Sequence, residues 1–492
     1  MNLANTLIDA VHRYPDKIAI YWGGEEISYS QVFGQSEWVK RRLLDVYQIR
    51  PGDRIALWMK NTPEFIGILF GALRAGAVIV PLNHFLTASE AEFILDDSGA
   101  KVIFVDDTLY QPATTVAESL QHLEIVKIQS IGKAASTMDR TSISDVGKSN
   151  DDLALIIYTS GTTGRPKGAM LSHGNLMHNV NSCIHSMRAS EADKVAVLLP
   201  MFHSFMVTVG ILMPVALGGG IVLIQSLHPP KNILKEIMAT GATILPAVPP
   251  FYRAFTSTTL PELPLRLCIS GAAPLPKEVL KKFNQQSNMC LIESYGLSEA
   301  SPVVTLNPVD GPWKAGSIGL PIYDVRVAIM DDQGRELPAG KTGELWVSGQ
   351  NVMMGYWNRP DATAEALSDG WLRTGDVGFA DEDGYLYVTD RKKDMLIVNG
   401  INVSPREIEE LIYQCNGVKE VAVVGKADPR KGEIPIAFVV LEEGCSDNCG
   451  EIMDFLKPLL APYKLPKKIH FIENLPRNAT GKVLKTELRD RL

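Results

Sequence analysis

Cysteine and blocks of like charge are both scarce in this sequence of 492 residues, and each shortage excludes a class of protein. The six cysteines are too few and too scattered to make a disulfide-stabilised secreted fold. Cys445 and Cys449 lie in a polar stretch without a CxxC pair or a histidine partner, so we expect no zinc site there. The net charge of -8 and the lack of a basic arm argue against nucleic-acid binding.

Membrane and export signals are also missing from the sequence. The N-terminal segment has no basic stretch followed by an apolar core, so we expect no signal peptide. Residues 205–224 are uncharged and long enough to cross a bilayer, but Pro214 and the glycines at 218–220 would break a helix there. We expect a buried helix, a glycine turn and a buried strand in a cytoplasmic protein, with peripheral contact to lipid left open.

Short apolar strands alternate with amphipathic helices up to about residue 390, as in RIALWM, AVIVPL and KVIFVDD with the segments between them. A composition of 46% hydrophobic and 21% charged residues allows a large buried core, and the length favours two or more domains. The alternation predicts a layered α/β fold with parallel strand pairing.

The pattern changes at the charged cluster 390–394, which marks a candidate domain boundary. After it, Ser404 is placed to cap a helix and Glu407 to complete a capping box. The remaining residues read as strand, strand, helix and strand. We therefore predict a large N-terminal layered α/β domain, residues 1–391, joined by a hinge to a small α+β C-terminal domain, residues 392–492.

The end of the chain is locally basic. Residues 462–492 contain eight lysines and arginines against three acidic residues. A solvated surface and a docking face for a phosphate-rich ligand both explain this bias.

The segment YTSGTTGRPKG, residues 158–168, follows the apolar run LALIIY and is rich in glycine, serine and threonine. It fails the Walker spacing, because Pro166 stands where the second glycine belongs, and no dinucleotide fingerprint is present either. Its glycines still let backbone N–H groups approach an anion, and Lys167 adds a positive charge. The loop alone is consistent with an anion site or with a flexible surface loop.

Seven further stretches follow this loop in a fixed order. They are PMFHSF (200–205), SGAAPLP (270–276), ESYGLSEAS (293–301), GELWVSGQNVMMGYW (343–357), WLRTGD (371–376), DRKKDMLIVNG (390–400) and PRNATGKVLK (476–485). With the loop, they resemble the signatures of the adenylate-forming (ANL) superfamily, which includes acyl-CoA synthetases, nonribosomal adenylation domains and beetle luciferases. The resemblance covers most of the chain.

The resemblance implies a reaction in two halves. A carboxylate attacks the α-phosphate of ATP to give an acyl-adenylate and pyrophosphate, and the thiol of coenzyme A then displaces AMP. We therefore expect ATP, Mg²⁺ and coenzyme A as cofactors and a small-molecule carboxylic acid as substrate. A homodimer is left open.

The resemblance also implies nucleotide-binding residues. The phosphate-binding residues would be Thr159, Ser160, Gly161, Thr162, Thr163, Gly164 and Lys167. The residues around adenine and the α-phosphate would be Gly271, Ala272, Ala273, Ser294, Tyr295, Gly296 and Ser298. Glu299, with Thr159, would bind Mg²⁺, an ion that prefers hard oxygen ligands.

The remaining implied roles fall in the last third of the chain. Asp376 would accept the ribose hydroxyls, and Arg391 would contact the ribose or the α-phosphate. Lys482 would be the catalytic lysine, with Glu299 and Thr159, and would neutralise charge between the carboxylate and the α-phosphate. Lys393 would be the hinge, and Gly400 would reach the thiol entrance.

The acid itself is less well specified. His203 and Gly296 would border the acyl pocket, and Phe202, His203 and Ser204 leave no aspartate to anchor an amino acid. Ser294 stands where malonate-activating relatives carry arginine. The neighbouring apolar stretches favour a medium- or long-chain fatty acid, with an aromatic or branched acid as the alternative.

Three other functions stay open at this point. They are an acyl-AMP ligase that loads a carrier protein, a luciferase-like oxygenase and a non-catalytic relative. Because the sequence has neither a carrier domain nor the insertion usual in fatty-acyl-AMP ligases, we expect a stand-alone CoA ligase.

Overall fold

The computed structural model describes residues 2–132, 147, 149–159, 165–227, 229–256, 260–445, 449–477 and 482–492. The strands are β1 Ile18–Trp22, β2 Glu25–Ser28, β3 Arg54–Trp58, β4 Val78–Pro81, β5 Ala100–Val105, β6 Glu124–Lys127, β7 Leu153–Thr159, β8 Lys167–Ser172, β9 Lys194–Val197, β10 Gly220–Leu223, β11 Ile244–Ala247, β12 Leu267–Ser270, β13 Leu291–Gly296, β14 Val303–Leu306, β15 Leu320–Pro321, β16 Arg326–Met330, β17 Gly343–Ser348, β18 Gly355–Tyr356, β19 Leu367–Ser368, β20 Trp371–Ala380, β21 Leu386–Arg391, β22 Leu396–Val398, β23 Ile401–Val403, β24 Val418–Asp428, β25 Gly432–Leu441 and β26 Lys468–Phe471.

The helices lie between these strands and on both sides of the larger sheets. They are α1 Leu3–Arg13, α2 Tyr29–Arg41, α3 Pro63–Arg74, α4 Ala88–Ser98, α5 Asp107–Ser119, α6 Gln129–Gly132, α7 His173–Met187, α8 Met213–Leu217, α9 Lys231–Thr240, α10 Pro249–Thr256, α11 Lys277–Gln286, α12 Pro360–Ala366, α13 Pro405–Ile412, α14 Cys449–Leu456 and α15 Lys485–Asp490. Among the described residues, no helix is long and apolar enough to span a bilayer.

Two large sheets carry the predicted parallel pairing. In the first, the order is β15, β14, β13, β12, β11, β9, β10, β1, β2, and the strands from β13 to β1 are parallel. In the second, the order is β18, β8, β7, β4, β3, β5, β6, with β7 to β6 parallel. Strand β3 has the burial that is typical of parallel pairing. Its residues Ile55, Ala56, Leu57 and Trp58 are all fully buried, as expected for a parallel strand covered on both faces.

The prediction of parallel pairing is wrong for residues 326–391. There β16, β17, β20 and β19 form an antiparallel sheet, and β21 pairs antiparallel with β20. The connection from β20 to β21 is a tight turn with Gly384 at φ +83, too short for the crossover that parallel strands need.

The apolar segment 205–224 folds as predicted, with one difference. A helix leads through α8 to Gly218 at φ +74 and then into β10. Its first part, Met206–Leu212, is a π-helix in which all seven residues are buried. A π-helical turn takes one more residue than an α-helical turn, and such turns often occur at functional sites.

The described strands of the last sheet all follow Arg391, in the order β23, β22, β25, β24 with β26 beside β25. Helix α13 packs on it through Ile408 and Ile412, which are fully buried. Only half of the predicted capping box forms: Ser404 accepts a hydrogen bond from the backbone N–H of Glu407. The Glu407 carboxylate instead binds Lys464 at 2.7 Å, because a lysine competes for it.

Several of the basic residues at the end of the chain form ion pairs within the protein. Lys464, Arg477, Lys485 and Arg489 each bind a carboxylate of the protein at 2.7 to 3.0 Å. Cys268 is fully buried, and Cys445 and Cys449 are exposed free thiols. In the part of the chain that the structure describes, no group of three or more His, Cys, Asp or Glu residues is placed to hold a metal ion.

Candidate active site

Several of the predicted residues lie where strands end. Thr159 is the last residue of β7, Gly271 follows β12, and Gly296 ends β13. In open α/β sheets, ligands bind in the crevice outside the carboxyl ends of the parallel strands. The strand ends therefore place three of the predicted stretches in the usual position for a ligand site.

Thr159 and Glu299 meet at this crevice. The Thr159 hydroxyl donates to Glu299 Oε1 at 3.3 Å, and the phenol of Tyr356 donates to the same oxygen at 2.9 Å. The Lys167 amine lies 5.4 Å from the centroid of the Tyr356 ring. Residues 160–164, also predicted to bind phosphate, lie outside the described residues.

Tyr356 stands in one of the eight stretches, but the sequence predicts no role for it. Burial, followed by the charge of Glu299, raises the pKa of Tyr356, so this phenol remains a hydrogen-bond donor. Glu299 and Thr159 together offer a carboxylate and a hydroxyl oxygen. These hard donors suit Mg²⁺, which keeps water and phosphate oxygens as its other ligands.

Asp376 is the centre of a second group. The phenol of Tyr295 donates to Asp376 Oδ2 at 2.5 Å, and Arg391 Nε lies 2.9 Å from Asp376 Oδ1. Asp376 and Arg391 are direct partners across β20 and β21, and Asp376 is 2% exposed. An ionised carboxylate has about four lone-pair sites, so two partners leave room for hydroxyl donors.

The segment after β12 is shaped by its backbone. The Gly271 N–H donates to the carbonyl of Ala247, and Ala272 has φ +63, a left-handed conformation that residues other than glycine seldom adopt. Ala273 is half-buried.

The end of β13 is tightly packed against the segment that follows it. A Cβ atom on Gly296 would collide with the carbonyl of Pro302, so only glycine fits there. The Ser294 hydroxyl donates to the carbonyl of Thr305 at 3.0 Å, so the contact that it makes is with the neighbouring strand β14.

Ser298 connects the nucleotide side to the PMFHSF stretch. Its hydroxyl lies 2.9 Å from the Ser204 hydroxyl, and Ser204 is 1% exposed. His203 accepts a hydrogen bond from the backbone N–H of Phe205 through Nδ1 at 3.3 Å. Burial lowers the pKa of His203 to about 4, so this histidine is neutral at pH 7.

Lys482 comes close enough to the second group to interact with it. Loss of solvent, followed by the charge of Arg391, lowers the pKa of Lys482 to about 8, and Asp376 opposes this shift. The pKa of Lys393 is lowered mainly by burial and next by the charge of Arg391. The charge of Lys393 in turn helps to lower the pKa of Lys482. Lys482, an exposed residue, thus interacts electrostatically with Asp376, the predicted ribose ligand. Gly400, at φ +75, lies exposed at the turn between β22 and β23.

Comparison with known families identifies the fold. The model of the AMP-binding enzyme family matches residues 7–357, and the AMP-binding enzyme C-terminal domain matches residues 407–482. The chain belongs to the AMP-binding enzyme family. The adenylate-forming resemblance is confirmed, and so is the mixed α/β fold with a large N-terminal and a smaller C-terminal domain.

Two curated relatives of this AMP-binding enzyme match almost end to end. A long-chain-fatty-acid–CoA ligase of Bacillus subtilis is 35% identical over 99% of this chain and 94% of its own. A feruloyl-CoA synthase of Amycolatopsis is 38% identical over 97% of this chain and 96% of its own.

Solved structures agree with this assignment. ATP-bound MatB from Rhodopseudomonas palustris is 33% identical and superposes with a TM-score of 0.93 over 100% of this chain and 98% of its own. The apo form of MatB, with the same coverage and identity, superposes with a TM-score of 0.82. The anthranilate CoA ligase AuaEII with anthranoyl-AMP reaches 0.93 at 27% identity, over 100% of this chain and 97% of its own.

This AMP-binding enzyme is therefore an ATP-dependent, AMP-forming acyl-CoA ligase, and the predicted cofactors ATP, Mg²⁺ and coenzyme A are those of such ligases. The relatives named above that act on an acid are CoA ligases or synthases, which favours coenzyme A over a carrier protein or an oxygenase reaction. The acid differs among them. The homodimer and the cytoplasmic location stay predictions.

Proposed function

We propose that this acyl-CoA ligase activates medium- or long-chain fatty acids. The observation that carries the proposal is the π-helical segment Met206–Leu212, which begins two residues after Ser204, itself in contact with Ser298. Met206, Val207, Val209, Ile211 and Leu212 are all at most 1% exposed.

The hydrogen bonding of this segment supports a substrate acid with an apolar tail. Thr208 is the segment's hydroxyl residue, and it donates to the carbonyl of Ser301 at 2.8 Å. Since its donor is satisfied, the segment has no unpaired side-chain polar group, which suits an apolar neighbour such as an alkyl chain. A second carboxylate would find no cation within Met206–Leu212.

The proposed triphosphate site lies at the Thr159 end of the crevice. Lys167 and the 160–164 loop would bind the β- and γ-phosphates. Glu299 and Thr159 would hold Mg²⁺, which, when bound, neutralises phosphate charge. The Tyr356 phenol donates to the same Glu299 oxygen as Thr159 and holds the carboxylate in place.

The proposed nucleoside site lies around Asp376. Its carboxylate would accept the ribose hydroxyls while Tyr295 and Arg391 fix its orientation. Gly271, Ala272 and Ala273 would line adenine, against the Tyr295 ring. Arg391 would also face the α-phosphate.

Lys482 is the proposed catalytic lysine. The acid and the α-phosphate are both anionic, so their approach needs positive charge between them. The Lys482 ammonium would supply it and would stay near the α-phosphate as pyrophosphate leaves. Its interaction with Asp376 and Arg391 supports this role, because Arg391 would face the same phosphate and Asp376 would bind the adjoining ribose.

We further propose that residues 1–391 and 392–492 are separate domains with Lys393 at the hinge. Among the described residues, the sheet of β22 to β26 draws no strand from before residue 392, which supports this boundary. Gly400, exposed at the β22–β23 turn, would approach the thiol of coenzyme A in the second half-reaction.

An aromatic acid is the alternative, and one observation favours it. The feruloyl-CoA synthase is 38% identical, slightly more than the fatty-acid ligase at 35%. A planar ring would fill the space beside His203 with less extension along Met206–Leu212.

A CoA-thioester assay across fatty acids of graded length, ferulate, benzoate and malonate tests the proposal. Each buried methylene contributes about 0.8 kcal/mol, so kcat/KM should rise about fourfold per methylene until the pocket is full. A higher kcat/KM for ferulate than for any fatty acid would favour the aromatic alternative. A flat profile across chain length would contradict an aliphatic pocket.

A further inference from the structure

The end of strand β7 is held by a carboxylate of helix α4. The phenol of Tyr158 donates to Asp97 Oδ2 at 2.6 Å, and Tyr158 directly precedes Thr159. Burial, followed by the hydrogen bond to Asp97, raises the pKa of Tyr158, so the phenol keeps its proton and remains a donor. The ring lies against Gly168, its partner on β8, where a Cβ atom would lie 3.1 Å from Cζ of Tyr158. Asp97 thus holds the end of the strand that provides Thr159.

The same aspartate holds the segment that provides Tyr356. The Arg359 guanidinium lies 2.9 Å from Asp97 Oδ1, and the Trp357 indole N–H donates to the Asp97 carbonyl at 2.9 Å. Trp357 directly follows Tyr356, and its backbone N–H donates to the carbonyl of Gly168 at 2.8 Å. Because the Asp97 side chain is only 12% exposed, its charge is screened less than that of a surface carboxylate.

The end of α4 is itself fixed in place. Arg54, the first residue of β3, donates through Nε to the carbonyl of Ser98 at 2.6 Å and through Nη2 to that of Gly99 at 3.1 Å. The last carbonyls of a helix lack partners within the helix and favour a positive charge, so Arg54 stabilises this end. The same guanidinium lies 5.4 Å from the ring centroid of Trp357. Asp97 therefore belongs to a firmly held helix end.

A second residue of α4 contacts the chain beyond the glycine-rich loop. The Arg165 guanidinium lies 5.2 Å from the ring centroid of Phe93. Phe93 precedes Asp97 by four residues, so both side chains lie on one face of α4. Arg165 lies two residues before Lys167, the first residue of β8. Helix α4 thus contacts the chain both before and after residues 160–164.

We propose that Asp97 and Phe93 are positioning residues that fix the site for Mg²⁺ and the triphosphate. Asp97 acts through the residues next to Thr159 and Tyr356. Those two residues are the recorded donors to Glu299 Oε1. The inference rests on the proposed Mg²⁺ and triphosphate site and on none of the proposals about the acid.

Equilibrium binding of MgATP and of AMP separates this role from an effect on folding. AMP lacks the metal and the two phosphates that this site would hold, but it would use the nucleoside site around Asp376. In Asp97→Ala, the Kd for MgATP should rise roughly tenfold, the lower end of what loss of an outer contact to a metal ligand causes. The Kd for AMP should stay unchanged, which also shows that the variant folds. Isothermal titration calorimetry without any acid measures both constants.

Three further variants complete the experiment. Asp97→Asn keeps an oxygen acceptor for the Tyr158 phenol and should recover part of the affinity for MgATP. Phe93→Leu keeps an apolar side chain but removes the ring beside Arg165, so the Kd for MgATP should rise about two- to fivefold, as for other exposed cation–π contacts. Asp96→Asn removes the neighbouring exposed carboxylate of the same helix and should leave both constants unchanged.

The outcomes distinguish this inference from the proposals on which it rests. An unchanged Kd for MgATP in Asp97→Ala would overturn the positioning role, and so would an equal loss of affinity for MgATP and AMP. An equal effect of Asp96→Asn would assign the loss to net charge instead. Unchanged binding in Phe93→Leu would overturn the role of Phe93.

A failure of the proposed function would look different. If Mg²⁺ does not change the affinity of the wild type for ATP, the proposed Mg²⁺ site fails, and the positioning inference falls with it. A wrong assignment of the acid changes neither constant, because both are measured without it.

Discussion

Tyr295 and Asp376 are joined by a 2.5 Å hydrogen bond from the phenol to the carboxylate, although they belong to different sheets. Tyr295 lies on β13 of the first sheet, and Asp376 lies on β20 of the antiparallel sheet. Burial, and next the Asp376 charge, raise the pKa of Tyr295, so the proton stays on the phenol. The carboxylate is thus held in one orientation before any nucleotide binds.

Asp376→Asn should weaken ATP binding while leaving the fold intact. The amide keeps the shape of the carboxylate but loses its charge and one acceptor for ribose. Hydrogen bonds to charged groups contribute about 2 to 3 kcal/mol, so kcat/KM for ATP should fall roughly 30- to 160-fold. Pyrophosphate exchange at varied ATP measures this loss.

Asp381→Asn is the matched control, because Asp381 is a nearby carboxylate whose partner is Lys314 at 2.6 Å. It should leave kcat/KM for ATP unchanged. Equal effects from both substitutions would mean that Asp376 acts through the fold and not through ribose.

Adenylation should decline at alkaline pH because Lys482 loses its proton. Its pKa is lowered to about 8, so the ammonium is present below that pH and is lost as the pH rises through it. The profile of kcat/KM, which reports the free enzyme, should therefore fall about tenfold per pH unit above that value. Bound triphosphate favours the ammonium, so the limb in kcat should lie at higher pH.

Lys482→Arg tests the assignment of this alkaline limb. A guanidinium stays charged throughout the range, so the variant should be slower but should show no decline near pH 8. A wild-type limb that persists unchanged in Lys482→Arg would assign it to another group.

Tyr356→Phe should weaken the response to Mg²⁺. The variant keeps the ring near Lys167 but removes the hydrogen bond to Glu299 Oε1, so the carboxylate loses one of its two recorded donors. Loss of an outer hydrogen bond to a metal ligand typically lowers metal affinity or activity by about 10- to 100-fold. A titration of exchange rate against Mg²⁺ at saturating ATP should show a higher half-saturating concentration. A lower maximal rate with unchanged half-saturation would contradict a role in holding the ligand.

The buried pair Arg74 and Glu37 should dominate the stability of its region. Arg74 is fully buried, 2.7 Å from Glu37, and its guanidinium also donates to Ser36. Arg74→Met leaves a buried carboxylate with less compensation, which costs about 3 to 5 kcal/mol in the free energy of unfolding. Urea unfolding followed by tryptophan fluorescence measures the change.

The exposed pair Arg326 and Glu336, at 2.6 Å, provides a comparison of the same chemistry. Because surface pairs contribute less than about 1 kcal/mol, Arg326→Met should leave the urea midpoint almost unchanged. A similar midpoint shift in both variants would show that burial of Arg74 has no special effect.

The sequence predicted those features of the fold that depend on residues close together in the chain. The apolar run at β3 and the glycine turn at 218 were readable because burial on both faces and a positive φ restrict the residue types. The π-helical form of Met206–Leu212 was not readable, since an apolar run fits α- and π-helices equally well. The second half of the capping box failed because Lys464, distant in sequence, binds Glu407.

The candidate site likewise combines residues that the sequence identifies with contacts that it does not predict. The resemblance named Thr159, Glu299, Tyr295 and Asp376, but no local pattern joins residues that are 140 or 81 positions apart. Tyr356 was missed because a tyrosine at the end of an apolar stretch reads as core.

The hydrogen bond between Ser204 and Ser298 has a consequence for how such an enzyme could change its substrate. It ties the start of the π-helical segment to the turn that carries Glu299, so one end of the proposed acid site is anchored to the nucleotide. The carboxylate end of the acid would then have a fixed position, from which the length of its tail is limited. Substitutions beyond Phe205 would change the chain length that the site accepts. They would leave adenylation at the fixed carboxylate end unaltered.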